Sequence, residues 1–442
     1  MSANTTTAAL PYDQHSLHSA LSAFLPGMVL PPPSNLDLVV AHLLLILVQF
    51  TTTFQHPILP LLRLGLGLAS GHVFWQYGFT RKYDALFQPR RARYNMMGMN
   101  LIGLNGIMKL IEICIIGFTN KAEDWPKWVS KKEKEEDGKR KIIPFTPSVT
   151  GRFLYAIDLL SVRGSSWFKG RVWDYSPIAI AEYRAPTRLQ FLVRTLWSAA
   201  QQYIVLDIIE TIMQRRSWDT RNPNPITTLP ILQQPIYALC VCIVTCLSIS
   251  ASSTINSFQS ILLGAPPSSW PPMFDDPFGA RSLAEFWTFK WHAIFRRSFD
   301  RLSYGILLCL PLGQLRTSQR ATKLIRAIII FTLSMTVHLF LMWSLPLDEN
   351  HPYASFFNLS ALKFFLSQPL GLIIELECIF PLTRNLSETR KRGIRRAFAW
   401  AWLLWSGRFW SDVWVSRGMW DYEERFIVYS PLRKALYGTW TP

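Results

Sequence analysis

Two histidines in this 442-residue chain stand where chemistry could be done. His338 lies in the middle of the apolar run "FTLSMTVHLFLMW", with Ser334 one helical turn before it. An ionisable side chain deep in apolar surroundings is costly, so it faces protein or a water-filled cavity and is a functional candidate by default. A neutral imidazole in such a place can take a proton near pH 7, as a general base does. The plainer alternative is a neutral histidine bonded to a neighbouring helix. His42 and His72 also fall in or near apolar runs, but closer to their ends. The second candidate, His292, stands in "SLAEFWTFKWHAIFRRSFDR", Ser282 to Arg301, which mixes aromatic and basic side chains densely.

Written as a helix, that segment places Leu283, Phe286, Trp287, Trp291, Ile294 and Phe295 on one face. Glu285, Thr288, His292, Arg296 and Arg297 fall on or near the other. The pattern predicts an amphipathic helix lying in a membrane interface, basic side toward water. A surface anchor with no chemistry would show the same pattern.

The elements that must hold these histidines are long and apolar. Apolar residues make up 49% of the chain, with 18 Trp and 28 Phe, and they come in blocks. Runs near twenty residues with few charges can cross a bilayer core of roughly 30 Å. Eight spans are expected: Leu36–Phe54, Pro57–Phe79, Met96–Phe118, Leu189–Met213, Thr228–Ile249, Ile325–Leu345, Phe356–Phe380 and Arg396–Trp414. The fold class is all-α and integral to the membrane: a polytopic bundle of about eight transmembrane helices plus the amphipathic interfacial helix. "LSYGILLCLPLG", Leu302–Gly313, is short enough for a short or re-entrant helix. The expected organisation is an N-terminal tail over 1–35, a membrane domain over 36–414 with the motif region at 264–345, and a C-terminal tail over 415–442. Met1–Leu25 has no Lys or Arg and no compact apolar core of the signal-peptide kind, so the first span is expected to direct insertion.

The net charge of +17 gathers in loops between apolar runs, such as "RKYDALFQPRRAR", "RRSWDTR" and "TRKRGIRR". That is the positive-inside pattern, with contact to anionic lipid added, and it argues against a nucleic-acid partner. The mixed charge run "SKKEKEEDGKRK" within Thr119–Arg152 reads as a solvated, mobile loop. Cys114, Cys240, Cys242, Cys246, Cys309 and Cys378 lie in or beside apolar segments without zinc spacing, and they read as buried, inert thiols. No metal constellation and no internal repeat is evident.

"SLAEFWTFKWHAIFRRSF" resembles the wax-synthase-type signature of membrane-bound O-acyltransferases: a serine-leucine pair, then Phe-Trp, three residues and Trp-His. "FTLSMTVH" is similar to the second motif of that family. "DLLSVRGSSW", "PPMFDDPFGARSL" and "FFLSQPLGLIIE" resemble further stretches of the fungal branch, whose members commonly acetylate secondary metabolites. The chain departs from the family pattern at Thr288-Phe289-Lys290, where Gly-Arg-Arg is usual, and at Met335 and Leu339, where glycine and an acid are usual. The resemblance implies an acyltransferase that acetylates a hydroxyl of a terpenoid or meroterpenoid. Acetyl-CoA would be cosubstrate, with no bound cofactor and an endomembrane location such as the endoplasmic reticulum.

In that chemistry His338 is the expected base, Ser334 fixes its tautomer or positions substrate, and His292 donates to the thioester carbonyl or helps hold it. Phe286, Trp287 and Trp291 are the motif aromatics. Lys290, Arg296, Arg297 and Arg301 are expected contacts of the coenzyme A phosphates. The alcohol is expected to enter from the lipid side. Two alternatives stay open. One is a long-chain wax or sterol ester synthase. The other is a transporter whose Asp207, Glu210, Glu375 and Glu377 carry protons. No His is followed four residues on by Asp, and no Gly-x-Ser-x-Gly elbow occurs, so two soluble acyl-transfer signatures are missing.

Overall fold

The computed structural model describes residues 35–80, 92–120, 124–136, 138–161, 164–175, 186–214, 225–292, 294–311, 318–345, 355–420, 427 and 429–440. Nearly all of the expected N-terminal tail, much of the basic loops after residues 80 and 214, and Arg163 of the Arg-Gly segment lie outside the described residues.

Apolar runs become helices where capping residues open them. The helices are α1 Asn35–Thr51, α2 Leu59–Trp75, α3 Ala92–Leu110, α4 Val149–Asp158, α5 Arg188–Gln214, α6 Gln234–Leu262, α7 Leu283–Glu285, α8 Arg296–Cys309, α9 Gln319–Trp343, α10 Leu359–Ile374, α11 Phe380–Thr383, α12 Glu388–Ser416 and α13 Pro431–Tyr437. Ser318 opens α9 by accepting from the Ala321 N–H, and Asn358 opens α10 by accepting from Ser360 and Ala361. These bonds satisfy donors that a helix start leaves unpaired. Each of the eight expected spans falls on a helix. Among the described residues, four segments are long and apolar enough to cross a membrane: Met96–Ile116, Gln234–Leu262, Gln319–Trp343 and Leu359–Thr383. Large apolar side chains such as Leu43, Leu189 and Trp197 point outward. Exposed apolar surface of that kind suits lipid rather than water.

Three packed layers position the site. α1, α2 and α3 share a core of Ala41, Leu45, Val48, Phe74, Leu110 and Ile113. Residues of α5, α6, α9, α10 and α12 form the largest core, around Met213, Val244, Met342 and Trp414. Between them, Leu104 and Met108 of α3 meet Phe295, Val337 and Leu341. The last cluster joins the chain just after His292 to the helix that carries His338.

Three expectations change. The protein is not wholly helical: β1 Trp128–Lys134, β2 Arg140–Ile143 and β3 Arg171–Trp173 form an antiparallel sheet in the order β2-β1-β3. The charge run expected to be a mobile loop is the β1–β2 hairpin. Trp128 and Val129 are buried and anchor it, while its charges point to solvent, and Gly138 turns the chain at φ +79°. The third change concerns the thiols. Cys114, Cys240 and Cys246 are buried, but Cys309 and Cys378 are exposed, because apolar composition in a membrane helix does not imply burial within the protein.

Candidate active site

The motif segment does not form one amphipathic helix. Ser282 starts α7 by accepting from the Glu285 N–H at 3.0 Å, and Glu285 reaches back to the Arg281 N–H at 2.8 Å, a reciprocal capping box. The helix then widens into a π turn over Phe286–Lys290, and Trp291 leaves it with an extended backbone. α8 begins only at Arg296. His292 therefore sits at a break between two helices. The expected membrane-facing side is instead packed on protein: Leu283, Phe286 and Phe295 are buried, with Phe286 against Trp400. Leu302–Cys309 continues α8, and the end of the expected short helix, Gly313, is outside the described residues.

The proline-rich lead-in explains how the break is held. Asp276, in a left-handed conformation at φ 48°, caps the following turn through Gly279. Phe278 stacks on Trp400 at 5.7 Å. The Asp275 N–H donates to the Lys290 carbonyl at 3.2 Å, and Lys290 Nζ meets the Asp275 carboxylate at 3.4 Å.

His338 lies on α9, half-buried, with Nδ1 2.7 Å from the Ser334 carbonyl oxygen. A carbonyl only accepts, so Nδ1 carries the proton and Nε2 presents a lone pair. Nε2 has no hydrogen-bond partner among the described residues. It is the main chain of Ser334, rather than its hydroxyl, that meets the imidazole. The imidazole packs 4.8 Å from the Phe365 ring and 5.2 Å from Trp410.

An unbroken series of aromatic rings links the two histidines. Phe365 touches Phe364 at 4.9 Å, Phe364 touches Trp287 at 6.5 Å, and Trp287 touches Trp291 at 5.9 Å. Trp291 lies 5.5 Å from His292, which also meets Phe274 at 5.9 Å. The three motif aromatics thus form the inner wall between the candidates. Phe364, Phe365 and Trp410 complete that wall. Phe364 and Phe365 open the "FFLSQPLGLIIE" stretch, but nothing in the sequence marks either ring or Trp410 as a site residue, because an aromatic residue inside an apolar span carries no distinguishing pattern.

The basic flank divides. Lys290 is held by Asp275. Arg297 Nε lies 2.6 Å from the Glu112 carboxylate, and its guanidinium covers the Tyr175 ring. This pair borders a small cleft with Gln49, Lys109 and Ser161. Lys109 Nζ donates to the Leu159 and Leu160 carbonyls at 3.1 and 2.9 Å. Arg296 donates to the Thr288 carbonyl at 3.0 Å, and burial pulls its guanidinium below the ordinary value. Arg301 makes a 3.4 Å contact with Asn120. Each of the four cations thus meets a different partner among the described residues.

The acids considered as proton carriers each have a partner within the fold. Asp207 accepts from the Leu432 N–H, and Glu210 accepts from Ile427 and pairs with Arg433. Glu377 pairs with Arg320. Glu375 accepts two main-chain N–H groups of the motif helix. No group of three or more metal-ligating side chains occurs among the described residues.

A helical scaffold that links a Trp-His motif through aromatic rings to a histidine in an apolar helix is similar to one class of protein, the membrane-bound O-acyltransferases. Residues 270–359, which contain both histidines, match the membrane bound O-acyl transferase family. The chain resembles that family, and its enzyme class is O-acyltransferase. It is 26% identical over 316 residues to the O-Mevalon transferase macI of Penicillium terrestre, covering 64% of this chain and 68% of the relative. It is 25% identical over 278 residues to the Acetyltransferase ataH of Aspergillus terreus, covering 58% and 87%. It is 25% identical over 251 residues to the Acetyltransferase TRI7 of Fusarium sporotrichioides, covering 52% and 53%.

Proposed function

We propose that the protein transfers an acetyl group from acetyl-CoA to a hydroxyl of an apolar secondary metabolite, within an endomembrane such as the endoplasmic reticulum. The observation that carries the reading is the orientation of His338. Its Nδ1 is committed to the Ser334 carbonyl, and its Nε2 is left to accept a proton beside an aromatic wall. In the reaction, Nε2 takes the alcohol proton as the oxygen attacks the thioester carbonyl. The imidazolium then returns that proton to the departing thiolate, and no covalent enzyme intermediate is needed. His292, at the helix break, donates to the developing oxyanion or holds the thioester carbonyl.

The aromatic wall suits a flat, apolar acceptor arriving from the lipid. Acetyl rather than another acyl group is favoured by the three relatives that carry the name acetyltransferase. Arg296 and Arg301 are the proposed phosphate contacts of the flank, while Lys290 and Arg297 would first have to leave Asp275 and Glu112.

The test is acetyl transfer in microsomes from an expressing host, fed labelled acetyl-CoA and extract of a producing organism. His338→Ala is expected to lose at least about two orders of magnitude in turnover, the scale of general-base catalysis, at near-normal membrane levels. Wild-type turnover in that variant would remove His338 from the mechanism.

A further inference from the structure

One face of α10 and the π turn that extends it touches the start of the motif helix, Trp287 and His338. Glu375 is fully buried, and its two carboxylate oxygens accept the Leu283 and Ala284 N–H groups at 2.6 and 2.8 Å. These are the first two N–H groups of the motif helix. With the Ser282–Glu285 box, every N–H from Leu283 to Glu285 has a side-chain acceptor. Two turns earlier, the fully buried Gln368 accepts from Trp287 Nε1 at 3.2 Å. Its amide nitrogen donates to the Phe364 carbonyl at 2.9 Å and to Ser406 on α12 at 3.0 Å, which fixes the direction of the amide. A turn earlier again, Phe364 and Phe365 support Trp287 and His338.

Gly371 lies between Gln368 and Glu375 on this face. A Cβ there would sit 2.8 Å from Leu283 and 2.3 Å from the Trp402 indole, so the close approach of the motif helix requires glycine.

We infer that Glu375 and Gln368 are positioning residues that dock the Ser282–His292 motif onto α10, the helix that also supports His338, and so set the placement of one histidine against the other. Glu375 acts as an anionic cap on the motif helix and carries no proton in turnover. Neither side chain touches the reacting atoms. The docking half of this inference stands on geometry alone, and its kinetic half rests on the acyl-transfer reading above.

Two measurements on full-length protein in membranes separate these halves. The first is trypsin digestion, read at the exposed Arg281 and at Lys290. Glu375→Ala is expected to speed cleavage at both by at least about tenfold while the spanning helices stay protected, since local opening exposes an otherwise docked segment. The second is kinetics. kcat is expected to fall at least about tenfold in Glu375→Ala, with KM for both substrates within about twofold, because misplacement of catalytic groups acts on the chemical step. Glu375→Gln, whose amide oxygen still accepts one N–H, should fall between wild type and alanine in both readouts. Gln368→Met provides a second break in the same docking, should Glu375→Ala fail to accumulate.

Wild-type cleavage and wild-type kcat in Glu375→Ala would overturn the proposal. So would a Glu375→Gln enzyme as inactive as alanine but digested like wild type, which would mark Glu375 as a proton carrier. Faster cleavage in a protein that transfers no acyl group, wild type included, would uphold the docking and overturn the kinetic half.

Discussion

At the residue scale, the ion pair between Arg297 and Glu112 joins the chain after His292 to the end of the α3 segment. Removing one member of such a pair strands the other charge away from water, which costs about 3 kcal/mol or more when both are buried. The Arg297 side chain keeps 21% of its exposure, so a smaller loss is expected. Arg297→Ala should lower the thermal midpoint in detergent and leave the KM for acetyl-CoA within about twofold. Arg297→Met combined with Glu112→Leu should recover most of the midpoint, as apolar replacement of a whole pair often does. A tenfold rise in donor KM at an unchanged midpoint would instead make Arg297 a phosphate contact. The pairing was not legible in the sequence, since Glu112 and Arg297 lie far apart in the chain and only the packing of the turn after α3 on α8 brings them together. His338 was legible, because a titratable ring inside an apolar run is costly to keep without a task or a partner there. The direction of its ring depended on a main-chain carbonyl, which no residue type announces.

At the element scale, the helices were legible because an apolar run must become a helix wherever water cannot satisfy its backbone, though only four of the segments described are long and apolar enough to span. The break at Trp291–His292 was not. No glycine or proline marks it, and what ends the helix is tertiary: the clasp of Asp275 on Lys290 and the grip of α10 on Leu283, Ala284 and Trp287. The small sheet was hidden by the charge run in β1 and β2. Its hold is Asp158 at the end of α4, which accepts from Trp128 Nε1 at 2.7 Å and from the Trp167 N–H at 2.6 Å. Replacing it with alanine leaves those donors unpaired, and an unmade buried bond costs about 1–3 kcal/mol.

Burial raises the Asp158 carboxyl above its ordinary 3.8, so the folded state holds that proton to higher pH than the unfolded chain. Its contribution to stability is therefore complete below that ordinary value and declines as pH rises through the raised folded value. Asp158→Asn removes the titration. The wild-type advantage over Asp158→Asn should accordingly shrink with rising pH above 3.8, read as thermal midpoints across a pH series. Parallel midpoint curves would show that the carboxyl is not perturbed.

At the scale of the whole molecule, four helical segments among the described residues have the length and apolarity to cross a membrane, and two packed groups of helices meet through α9 and the motif. Under the proposed reading a soluble thioester and a lipid-borne alcohol meet at His338, and acyl length is the property on which acetyl transfer and long-chain ester synthesis divide. Each methylene buried by an open site is worth about 0.8 kcal/mol, so such a site prefers long donors strongly. A closed site rejects them, because overpacking costs about 1–3 kcal/mol. The most direct test is a competition assay in microsomes with equal concentrations of acetyl-, butyryl- and palmitoyl-CoA and one apolar alcohol, the esters resolved by mass. The acetyl ester should dominate, with the butyryl ester far behind and no palmitoyl ester formed. Palmitoyl ester as the main product would contradict acetyl transfer and make the protein a long-chain ester synthase.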